Sequence, residues 1–139
     1  MTSIEIELLR DVPPAGAVTL INMGDAVIRI WALGNEWGDE MISFEVIGNS
    51  TVIQVMRSPQ VYTRNVPSSI EVPAGGRHQI PFDLGDGSWQ LAAPASELFA
   101  RGTRIVAVYE VPPSHEASTA GVLTGCLRSQ AIPLVGARR

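Results

Sequence analysis

Short runs of alternating apolar and polar residues, each cut off by glycine, proline, asparagine or aspartate, constrain the fold of this chain more than anything else in it. Ile4, Ile6 and Leu8 alternate with Glu5 and Glu7, and further runs cover Val18 to Ile21, Val27 to Leu33, Met41 to Ile47 and Thr51 to Met56. Successive side chains of a strand point to opposite faces, so this period of two places one face on a core and the other in water. The breaks are too frequent for long helices, and no apolar stretch reaches the roughly 18 residues of a spanning helix. The expectation is one all-β domain over residues 1–139.

The chain divides further along those lines. Strands are expected at Ser3 to Leu9, Ala17 to Asn22, Ala26 to Ala32, Met41 to Ile47, Thr51 to Arg57 and Val61 to Arg64, then over Arg77 to Leu84, Thr103 to Val111 and Leu127 to Val135. Asn22-Met23-Gly24-Asp25 reads as a hairpin turn between the second and third. Ser58-Pro59 and Pro81 mark edge or interrupted strands, because proline has no N–H for a ladder. Thr103 to Val111 is apolar on both faces and is the candidate central strand. One helical turn is expected at Pro94 to Phe99, with Ser96 as its cap, and Pro112 to Gly121 reads as a flexible loop. Eight or nine short strands at this spacing favour an antiparallel two-sheet sandwich.

Charge and cysteine usage narrow the function classes. The ten basic residues are all arginine, scattered along the chain, and the formal charge is −4. A dispersed positive set on an acidic chain disfavours phosphate backbones, so nucleic acid is not an expected partner. No secretion signal or membrane span is read, which gives a cytoplasmic expectation. The single cysteine, Cys126, reads as a small buried apolar residue. Close ligand spacings such as Cys-x-x-Cys are absent, and no metal or cofactor is expected.

The order of Asn22-Met23-Gly24-Asp25, Phe44-Glu45-Val46, Val72-Pro73-Ala74-Gly75-Gly76, Phe82-Asp83-Leu84 and Val106-Ala107-Val108-Tyr109-Glu110 resembles that of immunoglobulin-like modules. It is similar to the non-catalytic β-sandwich precursor domain of some fungal and bacterial metallopeptidases. More loosely, it is similar to small intracellular bacterial proteinase inhibitors. The likeness spans Val18 to Leu134, with Gly87-Ser88-Trp89 standing where those modules carry Gly-x-Tyr. It implies an immunoglobulin-like sandwich and a protein partner.

The interruptions hold the candidate site residues. Trp37 and Trp89 lie beside glycine-rich turns, where a flat aromatic serves as a binding anchor, whereas Trp31 sits in an alternating run and reads as core. Asp39 and Glu40 border Trp37, and Pro112, Pro113 and His115 lie in the long late loop. The leading expectation is a non-catalytic module that binds another protein through these residues, a peptidase inhibitor or accessory domain being concrete versions. A structural subunit that self-associates through the edge at Thr51 to Arg64 is the alternative. A hydrolase using Asp39, Glu40, Asp83 and Asp86 is the third reading, and it requires those acids to converge.

Overall fold

The computed structural model describes residues 1–135. Its strands are β1 (Thr2–Asp11), β2 (Pro14–Asn22), β3 (Ile28–Trp31), β4 (Ile42–Ile47), β5 (Val52–Arg57), β6 (Ser69–Val72), β7 (Arg77–Asp83), β8 (Trp89–Gln90), β9 (Arg104–Val111), β10 (Gly125–Arg128) and β11 (Ile132–Pro133). Three short helices, α1 (Glu36–Asp39), α2 (Ala95–Leu98) and α3 (His115–Ala120), punctuate them. The chain is all-β, and all the strand pairings are antiparallel.

One sheet runs in the order β1-β2-β7 and the larger in the order β10-β9-β4-β5-β8, with β11 also pairing β9; β3 and β6 form a separate ribbon. Ile42, Phe44 and Val46 are all buried on one side of β4, as their alternation requires. From β7, Ile80 and Phe82 point inward, and the Phe44 and Phe82 rings meet across the two sheets with centroids 4.6 Å apart. Strand β9 is buried at every residue from Ile105 to Tyr109 and lies between β4 and β10, so the central-strand expectation is met. Pro81 is on β7, an edge strand, where its missing N–H costs no ladder bond.

Several expectations need correction. Asn22 to Asp25 does not join a hairpin: β2 pairs β1 and β7, while β3 pairs β6. The Asn22 N–H donates to Gly76 O and its carbonyl accepts from Gly75, which carries the β2 ladder toward the β6–β7 turn instead. No strand forms at 61–64; the stretch between β5 and β6 passes over α1. Ser96 is not the cap of α2, whose N-cap is Pro94. The late loop contains α3, because the Ser114 hydroxyl accepts from the Ala117 N–H at 3.0 Å and Gly121, at φ 69°, closes the last turn. Cys126 is exposed rather than buried, since β10 lies at the sheet edge.

Candidate functional site

Local chemistry first fixes α1. Asn35, 3 % exposed, accepts from the Gly38 N–H at 2.9 Å and donates to the Ala32 carbonyl at 3.0 Å, so the turn is capped and tied to the end of β3 together. Gly38 packs directly on that carbonyl. The stretch after β5 straps the helix from the other side. Asn65 accepts from the Glu36 N–H at 2.9 Å and donates to its carboxylate at 3.0 Å, and the Tyr62 hydroxyl donates to Asp39 at 2.8 Å. Asp39 also accepts from the Gly34 N–H at 3.0 Å, so both its oxygens are engaged.

This arrangement presents Trp37, half-buried, against Trp31, with ring centroids 6.4 Å apart and planes at 50°. Trp37, Met56 and Pro112 form the exposed apolar surface of an open groove of about 460 Å³, over the buried Trp31, Ile42 and Val111. Glu36, Glu40 and Glu110 bring carboxylates to it, and Arg57 and Ser114 complete the lining. A second groove of about 250 Å³ shares Glu36, Glu40 and Arg57 and continues past Asp39, Pro59 and Tyr62.

Electrostatics in the groove are unbalanced. Three carboxylates face one guanidinium, and neither Glu40 nor Glu110 has an ion-pair partner among the described residues. Burial, and then repulsion from Glu36 and Asp39, raise the Glu40 carboxyl above its ordinary value. Arg57 does not neutralise these acids; its guanidinium carbon lies 4.7 Å from the centre of the Trp89 ring, and it donates to the Ser88 hydroxyl at 3.4 Å. Arg57 Nε and Trp89 Nε1 are both buried without a hydrogen-bond partner among the described residues, and the cation–ring contact offsets part of the cost for the guanidinium.

The structure therefore brings Trp37, Glu40 and Pro112 to one groove and Asp39 to its continuation. Pro113 is exposed between Pro112 and Ser114, and His115 is exposed at the start of α3. Trp89 departs from expectation: it is 6 % exposed, packed edge-on against Phe44 at 5.3 Å, and supports Arg57 from below instead of offering a free face. The four acids of the hydrolase reading do not converge. Asp83 ion-pairs with Arg10, and Asp86 accepts from the Ser88 N–H at 2.8 Å, whereas Asp39 and Glu40 sit on α1 and at its end. Among the described residues no group of three His, Cys, Asp or Glu side chains is placed to hold a metal ion, and no helix is long and apolar enough to cross a membrane.

Glu36, Arg57, Glu110 and Tyr62 are site residues that sequence reasoning missed. Glu110 carried a signal, as the only charged residue between Ile105 and Val111 in an otherwise apolar strand. Arg57 carried none, because its role depends on a ring beneath it that is distant in the chain.

Burial, followed by its bond to Asp39 and the Asp39 and Glu40 charges, pushes the Tyr62 phenol from 10.0 up to about 12. Burial likewise raises the other tyrosine, Tyr109, whose hydroxyl donates to the Leu123 carbonyl at 2.6 Å. A raised acid favours its neutral form in the fold. The stabilisation is thus complete below pH 10 and is lost as pH climbs towards about 12. An absorbance titration of the native protein is expected to show no phenolate near pH 10, and Tyr62→Phe to remove the earlier of the two delayed steps. Ionisation of either phenol at its ordinary value would contradict the placement of that ring.

Comparison with protein-family models, with curated proteins and with solved structures returned no match.

Proposed function

We propose that this chain is a non-catalytic protein-binding module, an immunoglobulin-like sandwich whose contact face is the groove between α1, the end of β5 and the β9–α3 junction. The observation that carries this reading is the convergence of Trp37, Glu40 and Pro112, from separate segments, on one open groove of mixed apolar and acidic lining. Binding sites are typically concave and mostly apolar, with a few placed polar groups, and partly exposed tryptophans dominate contact energies. A catalytic reading is less well supported, since Asp39 is held by Tyr62 and Gly34 and the Ser114 hydroxyl is occupied in capping α3. The alternative of assembly through an edge at Thr51 to Arg64 is less well supported, since β5 lies between β4 and β8 and no strand forms over residues 58–64.

Trp37→Ala is expected to lower stability by about 1–2 kcal/mol, because the ring is only partly buried, and to abolish partner capture. Leu9→Ala, which removes an 80 % exposed side chain on β1, is the control. Affinity capture from the native cell with the three proteins tests this; recovery of the same partner by the folded Trp37→Ala variant would sink the reading. For the inhibitor version, the expected result is slowing of at least one peptidase in a panel, relieved by Trp37→Ala.

A further inference from the structure

We infer that the occupant of the groove is an arginine side chain in an exposed segment of the partner protein, laid along Trp37 with its guanidinium among Glu36, Glu40 and Glu110. The inference rests on the protein-binding reading and supplies the chemistry of the partner.

The lining matches both halves of an arginine. Trp37, Met56 and Pro112 offer apolar surface to a three-carbon stem, and a guanidinium stacks well on an indole face. The acids then supply the opposite charge, and carboxylates pair well with a planar guanidinium fork. Other occupants are disfavoured by the same contacts. An acidic segment would be repelled by three carboxylates, and a purely apolar one would cover charges whose desolvation nothing offsets. Arg57, held on Trp89, lies in the wall shared by the two grooves and leaves Glu40 and Glu110 without an ion-pair partner among the described residues. The continuity of the grooves through Glu36, Glu40 and Arg57 suits an extended chain segment more than a single ion or small amine. The formal charge of −4 adds long-range attraction for a basic partner.

The probe is an end-blocked Gly-Arg-Gly peptide, with citrulline and glutamate analogues and free arginine as the other arms. Binding is followed by the NMR shift of the Trp37 indole N–H, assigned with Trp37→Phe. The arginine peptide is expected to shift that signal saturably and the citrulline analogue to bind about tenfold more weakly, as loss of one desolvated charge contact implies. The glutamate analogue should leave the signal unmoved. Raising salt from about 0.05 to about 0.5 M should weaken arginine binding several-fold. Glu40→Gln and Glu110→Gln should each weaken it several-fold without lowering the melting temperature, since neither carboxylate has an ion pair to lose among the described residues.

Equal binding of arginine and citrulline peptides, or shifts confined to other residues, would overturn the inference. So would tighter binding of free arginine than of the peptide, which would make the site one for a small molecule. Partner capture that survives the Glu40→Gln/Glu110→Gln double variant but not Trp37→Ala would remove the arginine and leave the protein-binding reading intact. Arginine binding at Trp37 combined with capture indifferent to Trp37→Ala would count against the reading itself.

Discussion

Alanine at Asn22 is expected to lower the unfolding free energy by about 3 kcal/mol, a large share of the 5–15 kcal/mol that holds a domain of this size. Asn22 is 1 % exposed, and its amide nitrogen donates to the carbonyls of Ala26 at 2.8 Å, Val72 at 3.0 Å and Pro73 at 3.2 Å. Its side-chain oxygen accepts from the Gly24 N–H at 3.1 Å. One side chain thus fastens the end of β2 to the β6–β7 turn and shapes the crossing to β3. Truncation leaves the Ala26 and Val72 carbonyls without that donor, and an unsatisfied buried carbonyl costs more than an average hydrogen bond contributes. The chemistry is directional, so Asn22→Asp is expected to be worse than alanine near neutral pH: it turns a carboxylate toward carbonyl oxygens. That gap should narrow as pH falls through the carboxylate range. Urea denaturation of the two variants measures both effects, and an aspartate variant as stable as the alanine one would refute the donor role.

Asn22 also shows where local reading stops. Asn-Met-Gly-Asp is a good turn in isolation, and a chain does turn there, but the partner strand is chosen by bonds to residues some fifty positions away. The same division holds elsewhere. Ile42, Phe44 and Val46 were legible on one face of β4, and the burial of β9 on both faces was legible in its apolar run, because period and burial are properties of adjacent residues. Trp89, beside Gly87, looked like a surface ring; Phe44 from β4 covers it, a contact with no local signature. Helix α3 was hidden by its length, since six residues do not complete two turns of a 3.6-residue period, and only the Ser114 cap marked its start. At the site, Trp37, Glu40 and Pro112 were recognisable singly as residues placed in interruptions. Their meeting in one groove depends on β4 pairing β9, which brings Ile42 opposite Tyr109 and the end of α1 beside Glu110.

Gly38→Ala carries the second large effect, and it connects the fold to the groove. A Cβ built on Gly38 falls 1.8 Å from the Ala32 carbonyl oxygen and 2.6 Å from its carbon. Those atoms are backbone at the end of β3, so no side-chain rotation relieves the overlap; either α1 lifts or the strand end shifts. Overpacking that displaces backbone costs about 3 kcal/mol or more. Lifting α1 also pulls Gly38 N–H from Asn35, and it carries Trp37 off Trp31 and Glu40 away from Glu110. The variant is therefore expected to lose arginine-peptide binding at temperatures where it is still folded, because the strained turn opens before the sheets do. Gly24→Ala is the comparison: its Cβ would approach only Met1 N at 3.2 Å and the Asn22 side chain at 3.4 Å, contacts far looser than the one at Gly38. Melting curves and indole N–H shifts of the two variants together decide the matter. A Gly38→Ala protein that melts with wild type and still binds would mean that α1 is free to move without loss, and that Trp37 is not held in place by this contact.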